Sequence, residues 1–126
     1  MLVSLLFIDF ILMRDFTRAI NIDSDFASAY NNRGEAWYKK GDLKSAESDY
    51  RQALKINPAF EEVFYNRGKL RLKNGDKAGA IADLKKTLKI DPDFSKAYNL
   101  LSRLLKSSSK NVDARHKKRL LTREGD

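Results

Sequence analysis

The 126-residue chain contains no cysteine, a single histidine and only two prolines. Without cysteine it forms neither a disulfide framework nor a cysteine-ligated metal site. The one histidine, His116, excludes a metal site built on a histidine pair and leaves little material for general acid–base catalysis. No Lys-Ser or Lys-Thr pair follows a glycine at the spacing of a phosphate-binding loop. We therefore expect a non-enzymatic protein with no catalytic residue, no metal and no cofactor.

A long hydrophobic run is also missing. The longest, MLVSLLFIDFILM over residues 1–13, is shorter than the about 20 residues of a membrane-spanning helix, and no Lys or Arg opens it as in a signal peptide. We interpret it as a buried helix, with the start of a chain inside a longer parent protein as the alternative. Because it is apolar almost all round, it predicts homodimerisation through residues 1–20 or a lost upstream segment. The expected location is the cytoplasm, and no membrane partner is expected.

The charge is strongly basic, with 25 Lys and Arg against 17 Asp and Glu and a net charge of +8. Such a charge favours acidic partners. Seven of the basic residues lie from Lys106 onward. A basic segment of this kind is more often a solvated surface than a binding site. Binding of RNA or another polyanion by this segment is therefore only the third choice of function.

A shift of 34 residues aligns residues 27–60 with residues 61–94 and gives 13 identities. Each unit predicts two helices joined by a tight turn. In the first unit, one helix runs from about Ala27 to Lys40 and ends at Gly41, which adopts a left-handed conformation at little cost. Asp42 is placed to cap the second helix, which ends near Ile56. Pro58 and Pro92 then separate each unit from the next, because the residue before a proline avoids helical geometry.

The recurring residues resemble the tetratricopeptide repeat family, whose 34-residue signature fixes the positions of aromatic residues, a glycine, an alanine and a proline. The first unit matches with Tyr30, Gly34, Trp37, Ala46, Tyr50, Ala53 and Pro58. The second carries Phe64, Gly68, Arg71, Ala80, Leu84, Thr87 and Pro92 at the same positions. The resemblance implies an all-α fold: a right-handed superhelical array of antiparallel helix pairs, with two full repeats flanked by partial repeats or capping helices.

We expect one domain over residues 1–126. Residues 1–26 form an unpaired helix that resembles the second helix of a repeat, and residues 27–60 and 61–94 form full repeats. Residues 95–126 form a degenerate repeat with a capping helix. The structural positions within the repeats include the small residues at helix crossings, which are Gly34, Gly68, Ala46 and Ala80.

Two arginines depart from the family pattern, since Arg33 and Arg67 stand where leucine is usual. Asp49 and Asp83 each follow their arginine by 16 residues. A repeated arginine with an aspartate at a fixed offset predicts ion pairs within each unit, Arg33–Asp49 and Arg67–Asp83, that hold helix to helix. We prefer this interpretation to an anion-binding Asn-Arg-Gly motif, because a partly buried ion pair adds specificity to packing.

The resemblance implies binding of a peptide or partner protein in a concave groove lined by the first helix of each unit. The predicted groove residues are Asn31, Glu35, Tyr38, Tyr65, Asn66, Lys69, Lys96, Asn99 and Arg103. This surface becomes basic toward its C-terminal end, so the predicted partner segment is acidic and lies along Lys69, Lys96 and Arg103.

Some family members clamp a C-terminal carboxylate with five polar residues. Only Asn66 and Lys96 match that set in this chain, and Glu35 would repel a carboxylate. The sequence therefore does not predict a chaperone-type clamp.

Overall fold

The computed structural model describes residues 2–107 apart from Ser24. Five helices are complete, namely α1 (Leu2–Ile22), α2 (Ala27–Lys40), α3 (Leu43–Ile56), α4 (Glu61–Lys73) and α5 (Lys77–Ile90). A sixth, α6, is helical over residues 95–107. No strand occurs in this part of the chain, and the all-α prediction is confirmed. The predicted capping helix beyond residue 107, with His116 and most of the basic C-terminal segment, lies outside the described residues.

Each helix pair turns on a glycine with positive φ. Gly41 has φ 88° and ends α2. The backbone N–H of Asp42 donates to Trp37 O at 3.0 Å, which satisfies a carbonyl at the end of the helix. The Asp42 carboxylate then accepts the Ser45 N–H at 3.1 Å and caps α3. Gly75, with φ 82°, makes the corresponding turn between α4 and α5.

The turns between units depend on the two prolines. Asn57, which precedes Pro58, has ψ 93°, and Asp91, which precedes Pro92, has ψ 95°. Both values are far from helical because the proline ring disfavours helical geometry at the residue before it. The helices α3 and α5 therefore end one residue earlier, as the sequence predicts.

The helices pack as two hairpins, α2 with α3 and α4 with α5, and further contacts join α3 to α4 and α2 to α4. The central cluster of buried side chains consists of Ala46, Tyr50, Ala53, Val63 and Leu70. Because α2 and α4 touch, the first helices of the two repeats form one layer. Their outward sides share one surface, and this surface positions the candidate site.

The first helix, α1, packs against α2 and buries Met13 and Ile20. Its other sides are open, since Phe7 is 63% and Phe10 62% exposed. The prediction of a buried helix is therefore wrong for most of the side chains described from Phe7 to Ile22. The physical reason is that, among α1 to α5, α2 is the element that packs closely against α1. None of the described helices combines the length and the hydropathy that a bilayer crossing requires.

Candidate functional site

Side chains from three helices surround an open cleft of about 300 Å³ on the surface shared by α2, α4 and α6. Its lining residues are Tyr38 from α2, Tyr65, Lys69, Leu72 and Lys73 from α4, and Leu100 and Arg103 from α6. The α4 residues line one side because their spacings of three and four residues follow the helical period. We call this the Tyr38–Tyr65 cleft.

The cleft combines cations with aromatic rings. Lys69 Nζ lies 5.0 Å from the ring centroid of Tyr65 and 5.6 Å from that of Tyr38. Lys73 Nζ lies 5.0 Å from the Tyr38 centroid. Ammonium groups at these distances are attracted to the electron-rich ring faces. The two lysines therefore lie over the tyrosine rings in the lining of the cleft.

The Lys69 ammonium is partly removed from water. Burial lowers the pKa of Lys69, the Glu35 carboxylate opposes that change, and the Lys96 ammonium adds to it. A cation that has lost part of its hydration gains more from an anionic partner than one in bulk water. The electrostatics of the cleft therefore favour an anion beside Lys69.

The Tyr65 ring packs against the ring of Phe94 in a tilted arrangement, with ring centroids 5.2 Å apart and an interplanar angle of 44°. Burial raises the pKa of the Tyr65 hydroxyl, and the Arg103 guanidinium partly offsets that shift. The Tyr65 hydroxyl thus interacts electrostatically with Arg103, although the two residues come from α4 and α6.

Four of the predicted groove residues meet in the cleft: Tyr38, Tyr65, Lys69 and Arg103. Lys73 and Leu100 also line the cleft and are not among the predicted groove residues. The signal for Lys73 is its position four residues after Lys69, which places both on one helix face. Lys96 and Asn99 are exposed on α6 and do not line the cleft.

Asn31 and Asn66 differ from the groove expectation. They are only 2% and 4% exposed, and Asn66 Nδ2 donates to Asn31 Oδ1 at 2.9 Å. Their separation of 35 residues is one repeat plus one residue, which turns the two side chains toward each other between α2 and α4. This amide pair joins the first helices of the two units, so the Asn66 amide is already engaged inside the protein.

Glu35 also lies away from the cleft lining. Its carboxylate is 3.6 Å from Lys39 Nζ, one helical turn later. Together with Leu12 and Phe16 it lines a smaller space of about 200 Å³ between α1 and α2. Glu35 therefore acts on the Tyr38–Tyr65 cleft through its field at Lys69 rather than by contact.

The repeated arginines turn inward to their aspartates. Arg33 Nε and Nη2 donate to the two oxygens of Asp49, each at 2.7 Å. Arg67 makes the same bidentate contact with Asp83, with both hydrogen bonds at 2.9 Å. These are the contacts that the 16-residue offset predicts. They leave neither arginine in the cleft, and the Asn-Arg-Gly motif is part of the scaffold.

A third arginine joins the second pair, since Arg71 Nη1 lies 3.1 Å from Asp83 Oδ2. Arg71 occupies the repeat position that holds Trp37 in the first unit. The contact of Arg71 with Asp83 was not among the predicted ion pairs. The signal was the loss of an aromatic residue in favour of a cation one turn after Arg67.

A second, more apolar cleft of about 430 Å³ lies between α1 and α2. Its lining residues are Phe10, Met13, Arg14, Thr17, Arg18, Trp37 and Lys40. We call it the Phe10–Trp37 cleft. Within the part of the chain that the structure describes, no group of three or more His, Cys, Asp or Glu side chains is arranged to hold a metal ion.

Solved structures with the same fold include three tetratricopeptide domains. The first such domain of Spaghetti (RPAP3), bound to the HSP90 peptide SRMEEVD, is 22% identical, with a TM-score of 0.72 and 77% of each chain covered. The Arabidopsis OM64 domain is 26% identical, with a TM-score of 0.72 and 75% of this chain and 78% of that chain covered.

The second domain of human RPAP3, in complex with the HSP70 peptide SGPTIEEVD, is 28% identical, with a TM-score of 0.67 and 73% of this chain and 77% of that chain covered. No curated protein matches the chain. Sequence models of the tetratricopeptide repeat match residues 27–60 and residues 61–94. These bounds are the ones that the 34-residue shift gives. With more than half of its residues matched and its helix pairs stacked in one array, the chain belongs to the tetratricopeptide repeat family.

Proposed function

We propose that this protein is a non-enzymatic interaction module that binds an acidic peptide segment of a partner protein in the Tyr38–Tyr65 cleft. The observation that carries the proposal is the convergence of Lys69, Lys73 and Arg103 beside two tyrosine rings. The human RPAP3 domain, at 28% identity, is bound to a peptide that ends in EEVD. That complex supports an acidic peptide as the class of ligand.

The chemistry of binding follows from the lining. The lysines and Arg103 form charge-assisted hydrogen bonds with peptide carboxylates. The tyrosine rings and Leu72 provide apolar contact for a side chain that lies between two acidic ones. Lys96, exposed one turn before Leu100 on α6, extends the basic surface for a longer segment. Because Lys69 is already partly dehydrated, its contact with a carboxylate costs less new desolvation than a fully exposed lysine would need.

Side-chain carboxylates, rather than a terminal carboxylate, are the recognised groups in this proposal. Asn66 is bonded to Asn31, and Glu35 places negative charge at a position that the clamp fills with a polar neutral residue. Leu100 replaces the last cation of that clamp. These three differences favour recognition of an internal acidic segment.

The test uses fluorescein-labelled SGPTIEEVD as the probe and fluorescence anisotropy as the readout. We expect saturable binding that weakens about tenfold or more when Lys69→Glu and Arg103→Glu are combined, because both contacts become repulsive. Lys85→Glu, on the exposed side of α5, is the matched control and leaves binding unchanged apart from a small long-range effect.

Two altered peptides separate the side chains from the terminus. Replacing both glutamates by glutamine should abolish most of the affinity, whereas amidating the C-terminus should reduce it little. The proposal is overturned if the charge-reversed protein binds as well as the original. Dependence on the free terminus alone would instead support a carboxylate clamp.

Self-association through α1 is the second candidate function, and the open Phe10–Trp37 cleft favours it. Phe7 and Phe10, one turn apart on α1, are 63% and 62% exposed, and exposed apolar patches mark interaction surfaces. Sedimentation equilibrium over a hundredfold concentration range tests it. A dimer that Phe10→Ser dissociates is the expected result, with a change in fluorescence of Trp37, the only tryptophan. A concentration-independent monomer excludes this candidate without touching the peptide proposal.

A further inference from the structure

The aspartate of the repeat recurs in α1. Asp15, Asp49 and Asp83 are spaced by 34 residues. In the two full repeats, the two carboxylate oxygens of this aspartate accept hydrogen bonds from Nε and Nη2 of an arginine on the preceding helix. In α1 it is followed by Phe16, where α3 has the nearly isosteric Tyr50. The aspartate and the aromatic ring that α3 presents to α2 therefore both have counterparts on α1.

The packing of α1 follows the same register. Phe16 and Ala36 line the same space between α1 and α2, and Leu12, which also borders this space, remains 44% exposed. One repeat later, Tyr50 of α3 lies in the same buried cluster as Leu70 of α4. The helix α1 therefore contacts α2 as α3 contacts α4, and it stands in the position of a second helix of a repeat.

The side of α1 that corresponds to the α2-covered side of α3 is open. It consists of Ile8, Leu12, Asp15 and Ala19, which lie on one helix face at spacings of three and four residues. Ile8 is 52% and Leu12 44% exposed, and Asp15 is exposed as well. Among the described residues, no ion pair or side-chain hydrogen bond involves Asp15. We call this surface the Asp15 face.

We propose that the Asp15 face binds an arginine-bearing α-helix of a partner protein, seated as α2 is seated on α3, with the Asp15 carboxylate accepting the guanidinium. The charge complementarity carries the proposal, because the same aspartate takes an arginine in both repeats where its partner helix is present. An apolar face alone accepts any apolar helix, whereas a carboxylate within it selects one that brings a cation.

The two repeats specify the helix further. Arg33 stacks on the ring of Tyr30, 5.7 Å away, and Arg67 on that of Phe64, 5.6 Å away. A glycine follows each arginine and lies against the second helix. The expected partner helix therefore carries an aromatic residue, two intervening residues, an arginine and a small residue. This surface is separate from both the Tyr38–Tyr65 cleft and the Phe10–Trp37 cleft.

The probe is a peptide with the sequence of residues 27–41 of this chain, held helical by a lactam bridge on its solvent side and labelled with fluorescein. We expect it to bind the full chain, and Asp15→Asn to weaken binding about tenfold, since a bidentate charge-assisted contact is lost. The peptide with Arg33→Gln should lose as much affinity for the original chain. When this peptide is combined with the Asp15→Asn chain, the two losses of affinity should not add. Asp93→Asn, an exposed acid distant from α1 in the sequence, is the control.

Absence of binding overturns the proposal, as does binding that is the same in Asp15→Asn. The second result would mean that the peptide displaces α2 from α3 instead. Sedimentation of the chain alone completes the test: a dimer that Asp15→Lys dissociates would assign the Asp15 face to a second copy and would also overturn it. Ile8→Ser provides a second variant, and we expect it to weaken peptide binding without changing the circular dichroism spectrum.

Discussion

Gly34 lies against the ring of Tyr50 so closely that a Cβ on Gly34 would come within 2.7 Å of Tyr50 Cε1. The corresponding glycine of the second repeat, Gly68, faces Leu84, and a Cβ there would meet Leu84 Cδ2 at 3.4 Å. The same glycine of the repeat signature is therefore a strict requirement in one unit and a tolerant position in the other. The difference arises from the residue on the facing helix, a rigid buried ring in α3 and a branched aliphatic side chain in α5.

Gly34→Ala is predicted to destabilise the protein and Gly68→Ala to leave it as stable or make it more stable. Alanine gains about 1 kcal/mol over glycine within a helix. At Gly34 the displacement of Tyr50 outweighs this gain, with a net loss of about 1–2 kcal/mol. Urea unfolding followed by circular dichroism measures both variants. Equal midpoints for the two would contradict the contact geometry.

The two buried aspartates predict unequal costs of removing their charge. Asp83 holds Arg67 and Arg71, whereas Asp49 holds Arg33. Asp83→Asn therefore leaves two guanidinium groups without their anion, and Asp49→Asn leaves one. The arginines retain some exposure, so we expect losses of about 1–3 kcal/mol rather than the full cost of a buried pair. In thermal unfolding, the melting temperature of Asp83→Asn should lie below that of Asp49→Asn. The reverse order would contradict the prediction.

The fold follows from the sequence because its local signals agree. Gly41 and Gly75 supply the positive φ of each hairpin turn, and Pro58 and Pro92 end each unit. Periodic small residues fix where the helices cross. The contact of Arg33 with Asp49 was also predictable from the sequence. An arginine and an aspartate recur 16 residues apart in both repeats, and such a repetition indicates a contact within the unit.

The site was less predictable, because helix phase alone does not decide which side chains remain open. Asn31 and Asn66 lie at groove positions in the repeat pattern, yet they bond to each other between α2 and α4. Lys73 enters the cleft through contact with Tyr38 of the neighbouring unit, which no single-helix pattern contains. The openness of α1 likewise depends on which elements pack beside it rather than on its own composition.

Lys73→Ala is predicted to weaken the binding of fluorescein-labelled SGPTIEEVD by about two- to fivefold, the effect of one exposed charge pair. The effect is smaller than that of Lys69→Ala, because Lys73 is the more exposed of the two lysines. Anisotropy titrations at low and physiological salt provide the measurement, and the difference between Lys73→Ala and the original chain should shrink with salt. Lys85→Ala serves as the matched control. An unchanged affinity in Lys73→Ala would remove this lysine from the binding surface.

The capping carboxylate of α3 predicts a pH effect with a defined sign. The Ser45 hydroxyl donates to Asp42 Oδ2 at 2.8 Å, and this bond is the main reason that the pKa of Asp42 lies below its ordinary value. A carboxyl group with a depressed pKa stabilises the folded state above its unfolded pKa, and that stability is lost as the pH falls through the folded pKa. In Ser45→Ala the Asp42 pKa should rise toward the ordinary value without reaching it, because the backbone N–H of residue 45 still donates. Carbon-detected NMR titration of the Asp42 carboxyl measures the shift, with Ser28→Ala on the exposed side of α2 as control. If the Asp42 midpoint is the same in Ser45→Ala as in the original chain, the serine hydroxyl is not the cause of the shift.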